Sequence, residues 1–183
     1  MLVRTKLIFA VCLSLLLAGS GVPGQESAPL EYRLKAAFLF NFAKFIDWPA
    51  NAFADAKSPF IIGVLGENPF GNELEETVRG KTVNDRPLQV RTCPSTAEAT
   101  NCPILFITHS EKEPRRLPEV FAGLRGLSVL TVGETKGFVE AGGMVNFFSE
   151  NNKIRFQIND ETAKAAGLKI SSKLLSLAVR PSR

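Results

Sequence analysis

The stretch Phe60-Ile61-Ile62-Gly63-Val64-Leu65 is apolar at every position. It is too short for a buried helix and lacks the alternation of a half-exposed strand, so it reads as a strand buried on both faces. Ile104-Leu105-Phe106-Ile107-Thr108 repeats the pattern, and Leu127 to Val132 reads as a further strand, with a weaker one at Leu88 to Arg91. Helical patterns lie between them. The loop GENPFGN (66–72) leads into a helix for which Asn72 is the expected N-cap, with Glu75 three residues on as in a capping box. Leu117 to Leu124 reads as another helix. Strands that alternate with helices predict a mainly parallel sheet covered on both faces, a three-layer α/β domain.

Toward the C-terminus the pattern changes. Met144 to Phe148 and Lys153 to Asn159 flank a turn-rich SENN. In the second run Ile154, Phe156 and Ile158 alternate with polar residues, which predicts an antiparallel hairpin with one wet face. Asp160 is the expected cap of a helix through Ala166. Gly167 breaks it, and Ser171 to Ala178 supplies a last amphipathic turn or two.

Before the first strand lies a helix expected over residues 30–47, with start chemistry at Ser27 to Pro29 and a stop at Pro49. Its core, AAFLFNFAKFIDWP (36–49), carries four phenylalanines and a tryptophan. On a helical wheel Leu34, Phe38, Phe42 and Phe45, with Leu39, Ala43 and Ile46 alongside, fill one arc, an ordinary core face. Arg33, Lys44 and Asp47 lie opposite. That arc carries both signs of charge, which does not suit a membrane-surface helix. Phe40 falls on the polar arc between Arg33 and Asp47, with Ala36 beside it. An aromatic so placed reads as an anchor for a macromolecular partner, against the alternative of a scattered surface phenylalanine.

The first residues read as a leader: Arg4 and Lys6, an apolar run from Leu7 to Ala18, then Ala18-Gly19-Ser20. Cleavage is expected after Ser20, with Gly24 as the later option, and the folded domain is expected over 27–180. The apolar run is short for a bilayer span. The product is expected in the periplasm without membrane insertion. Formal charge is +4 for the whole chain. Losing Arg4 and Lys6 leaves about +2, too little and too scattered for a nucleic-acid footprint. Cys93 and Cys102 remain after Cys12 leaves with the leader. In an oxidising compartment they are expected to form one structural disulfide. Their spacing is not that of a redox motif, and a metal site needs more ligands.

Chemistry-bearing residues are few. His109, the single histidine, follows the ILFIT strand, and Glu134 follows the next one. Both fall at the carboxyl ends of parallel strands, where α/β sheets bind ligands, so they form a candidate ligand edge. Ser110 and Glu111 beside His109 do not make a triad, because no nucleophile elbow is present. GENPFGN has no GK[ST] and carries Glu67, so it is not a phosphate cradle. No cofactor is expected, and the chain does not read as an enzyme.

KAAFLFNFAKFIDWP, then LTVGE with GFVEAGGMVNFFSENNKIRFQIN, then AAGLKISSKLLSLA resemble the YfiR/HmsC-like family of periplasmic proteins. The resemblance runs from about residue 30 to 178, and the block from Gly142-Gly143-Met144 through Gly167 to Leu175 is its most specific part. It implies a regulator that docks on the periplasmic sensor domain of an inner-membrane diguanylate cyclase and represses cyclic-di-GMP synthesis. An outer-membrane, peptidoglycan-associated lipoprotein is implied as a second partner, and a homodimer as the assembly. Related domains also serve as sensor modules, so a periplasmic small-ligand sensor is the alternative.

Overall fold

The computed structural model describes residues 27–108 and 113–179. The expected leader and His109 lie outside them. Ser27–Phe45 forms α1, and Ile46–Asp47 (β1) leaves its end to pair antiparallel with Lys169–Ile170 (β9). This pairing ends the helix before the expected residue 47, and the Ser171 amide seals it by donating to the Phe45 carbonyl at 3.0 Å.

Among the described residues the main sheet has seven strands: Phe60–Leu65 (β2), Thr82–Val83 (β3), Arg86–Cys93 (β4), Ile104–Ile107 (β5), Leu130–Gly133 (β6), Val145–Glu150 (β7) and Lys153–Ile158 (β8). Their order is β3-β4-β2-β5-β6-β7-β8. The five inner strands are parallel, and β3 and β8 close the edges in antiparallel register. The late hairpin is as expected, and the early one, β3–β4, went unread. Each turns on two consecutive left-handed residues, Asn84-Asp85 and Asn151-Asn152. This is the turn geometry whose twist matches paired strands.

Strand chemistry explains the layers. Every residue of β2, β5 and β6 is buried. Phe60, Ile62, Val64, Ile104 and Phe106 point into one core, while Ile61, Leu65, Leu105 and Ile107 point into the other. The first core is roofed by α1, by Leu74 and Val78 of α2 (Glu73–Val78), by Ala163 of α4 (Asp160–Ala165) and by Leu174 of α5 (Ser172–Leu177). The second is roofed by Leu117 and Val120 of α3 (Glu113–Gly123), by Ala99 and by Phe138.

Local starts differ from expectation in two places. Asn72 is already helical in backbone and gives no side-chain cap, so the Asn72–Glu75 capping box does not form; a turn from Phe70 starts α2 instead. Asn159, not Asp160, caps α4, its Oδ1 accepting the Thr162 amide at 3.0 Å. The glycine pair before β7 has a packing cause. A Cβ on Gly143 would stand 2.1 Å from the Phe138 ring, so only glycine lets that ring lie against the chain.

Candidate functional site

Along α1 and into β1 the buried arc is Lys35, Ala36, Leu39, Phe42, Ala43 and Ile46. It is rotated by roughly 60° from the arc the sequence suggests. Leu34, expected in the core, is 44% exposed, and Leu30 one turn earlier is 54% exposed. Ala36, expected on the polar arc, is fully buried. Phe40 is not the exposed anchor its place on the wheel suggested. It is partly buried against the first core, with the Lys81 ammonium 4.3 Å from its ring centroid and that of Lys44 at 5.5 Å.

Arg33, Phe40 and Lys44 do share one flank of α1, the one that meets α2. Arg33 donates twice to Glu73, at 3.1 and 3.3 Å. Asp47 lies beyond the helix in β1, opposite Lys169. The outermost line of α1 is therefore Leu30, Leu34 and Ala37, bordered by Arg33 and Lys44, all exposed. Charge at its border is neutralised in part by the Arg33–Glu73 pair, which leaves the leucines as the dominant feature.

The cause of the rotation is Lys35. Its ammonium, on a side chain 4% exposed, pairs with Glu31 on the same helix and with Glu134 just after β6. The Tyr32 hydroxyl donates to the other oxygen of Glu134 at 3.0 Å, and the Lys35 ammonium lies 4.6 Å from the Tyr32 ring centroid. Burial first, then the Glu134 charge and hydrogen bond, push the Tyr32 hydroxyl well above its ordinary pKa. Tyr32 is thus a fixed donor and not a base. The signal for this cluster was half present in the sequence: Glu31 and Lys35 are four apart on a helix, but Glu134 is 99 residues further on.

These contacts decide how the strand-end edge is used. Both carboxylate oxygens of Glu134 are engaged by α1. At the switch point between β2 and β5, Thr108 Oγ1 donates to the Leu65 carbonyl at 2.9 Å and lies over Gly66, where a Cβ would approach it to 2.3 Å. The GENPFGN loop folds on itself, with Asn68 accepting the Phe70 amide and donating to the Gly71 carbonyl, while Phe70 packs on Tyr32 and Phe106. The described part of this edge is a clamp that holds the start of α1 on the sheet.

Cys93 at the end of β4 and Cys102 before β5 are buried free thiols rather than the expected disulfide, their sulfurs 3.9 Å apart and joined by an S–H···S hydrogen bond. Gly63 makes room for them, since a Cβ there would meet the Cys102 sulfur at 2.9 Å. Burial, and next the neighbouring Cys93, raise the Cys102 thiol far above its usual range.

With this geometry in view, comparison with known families is decisive. A family model described as YfiR/HmsC-like matches residues 32–179. The chain belongs to the YfiR/HmsC-like family. No curated protein matches it significantly. Membership makes it a periplasmic regulatory protein of cyclic-di-GMP signalling, from a family that is regulatory and not catalytic. Among the described residues no helix is long and apolar enough to cross a membrane.

Proposed function

We propose that this YfiR/HmsC-like protein represses cyclic-di-GMP synthesis by docking the outer face of α1 on the periplasmic sensor domain of an inner-membrane diguanylate cyclase. The observation that carries the reading is the pair Leu30 and Leu34. They are large apolar side chains one turn apart, left in water on a helix whose opposite face is clamped to the sheet. Exposed leucines at i and i+4 on a rigid helix suit a hydrophobic groove on a partner, with Arg33 and Lys44 as the polar rim. Phe40 supports this face from its flank, where it stacks under Lys81 and Lys44. The same face is available to a second copy of the chain, and an outer-membrane, peptidoglycan-associated lipoprotein would act by competing for it.

The test measures cellular cyclic-di-GMP in a strain expressing a diguanylate cyclase with a periplasmic sensor domain, with and without the exported protein. Wild type is expected to lower the nucleotide, and Leu30→Glu/Leu34→Glu to lose at least about tenfold in potency, as truncation of an interface anchor does. Its melting temperature is expected to stay unchanged, since both sites are exposed. Unchanged repression by that variant would refute the α1 assignment, and no effect of wild type would refute the repressor reading.

A further inference from the structure

At the opposite end of the sheet from the Lys35 clamp, beyond the amino ends of β6 and β7, lies a cavity of about 420 Å³. Phe121 of α3, Leu127 and Val129 after it, Met144 before β7 and Ala165 of α4 form its apolar walls. The volume falls within the range of small-molecule sites. It exists because the surrounding positions are small: Ala122, Gly126, Ala141, Gly142 and Ala166 border it, and none fills the space. Thr131 is the most buried polar side chain in the lining, its oxygen accepting the Met144 amide at 3.1 Å, and Thr162 is the other neutral polar residue of a mostly apolar lining. The one charged residue in the lining is Arg125. It is exposed and has no carboxylate partner among the described residues, unlike Arg33 with Glu73 or Arg155 with Glu150.

A mostly apolar chamber of this size with a single unpaired guanidinium in its lining selects for an amphipathic anion. We propose that the cavity binds a small monocarboxylic acid with an apolar body. Its chain or ring enters between Phe121 and Met144, and its carboxylate remains with the Arg125 guanidinium, whose planar fork suits two carboxylate oxygens. The site is separate from the Glu134 clamp and from the α1 face. It touches α4, and α4 runs through Gly167 into β9, the strand that pairs with the end of α1.

Octanoate and its neutral counterpart octan-1-ol, titrated into the purified exported protein, test this without any cyclase. Calorimetry gives the affinity, and the Met144 methyl resonance reports on the cavity. Octanoate is expected to bind and to shift Met144. Arg125→Glu is expected to weaken octanoate by at least about tenfold while changing octan-1-ol less than about twofold. Ala165→Trp, at an exposed helical position, is expected to fill the cavity and abolish both while the protein stays folded. The proposal fails if octanoate gives neither heat nor a Met144 shift up to roughly 5 mM. It also fails if binding survives both substitutions, or if Arg125→Glu weakens acid and alcohol equally.

Discussion

On the α1 side of the sheet, Phe42 stacks on Phe147 at 5.8 Å and meets Phe156 edge-on at 5.3 Å, with Phe38 closing the group at 5.4 Å from Phe156. On the α3 side β2, β4 and β5 face aliphatic residues, a pair of thiols and Phe138, and space is left over next to α3. The difference is one of tolerance. Interlocked rings hold a long helix at one rotation, so the leucines on its far face are presented rigidly. The α3 side is fitted instead through glycines at the contact points, Gly63 under Cys102 and Gly143 beside Phe138. That kind of fit is intolerant of added atoms where it is tight and leaves a chamber where it is not.

The largest effect comes from breaking the aromatic side. Phe42→Ala removes a fully buried ring and should cost about 3–5 kcal/mol. Against a typical domain stability of about 5–15 kcal/mol, that is a large fraction, read as a drop in the urea midpoint with unchanged slope. An effect below about 1.5 kcal/mol would mean that the rings repack and that α1 is not held as described.

Next is the tight point on the other side. Gly143→Ala puts a methyl 2.1 Å from the Phe138 ring and 2.8 Å from the Phe138 carbonyl oxygen, and should cost about 1–3 kcal/mol. Combining it with Phe138→Leu should recover part of the loss, because the two sites share one contact. Strict additivity in that cycle would show that backbone strain, not the ring, requires glycine.

How much of this was legible follows the same division. The buried strands announced themselves, because FIIGVL and ILFIT are apolar on both faces and only the centre of a parallel sheet offers two dry faces. The β7–β8 hairpin was readable from the alternation of Ile154, Phe156 and Ile158. The β3–β4 hairpin was not, since β3 has two residues and its turn is Asn-Asp, a weaker signal than Asn-Gly. The rotation of α1 was hidden for a different reason. Apolar side chains surround most of that helix, so periodicity sets the face only loosely, and the choice is made by a lysine reaching a glutamate 99 residues away. The candidate partner surface therefore moved from Phe40 to Leu30 and Leu34, and the cavity by Arg125, made by absent side chains, leaves no motif to read.

The smallest effect is the pH dependence of the reduced thiols, and it sharpens the contrast because it resides wholly on the α3 side. An export-oxidised Cys93–Cys102 bridge closes a loop of about ten residues and should add about 2.5–3 kcal/mol in the chain-entropy model. In the reduced protein the folded state holds the Cys102 proton more tightly than the unfolded chain does. Below about pH 8.5 both states keep that proton and stability is unaffected. Above it the unfolded state releases the proton while the folded state retains it, so reduced protein should lose stability as pH rises, by at most about 1.4 kcal/mol per pH unit for one proton. Tyr32, also shifted upward, adds its own loss only above about pH 10, so the window from 8.5 to 10 isolates the cysteine. Urea midpoints at pH 7.5 and 9.5 should diverge for reduced wild type and stay closer together for both the oxidised protein and Cys102→Ala. Parallel behaviour of reduced wild type and Cys102→Ala across that window would show that the thiol is open to solvent, and that the strands around Gly63 pack less tightly than their distances require.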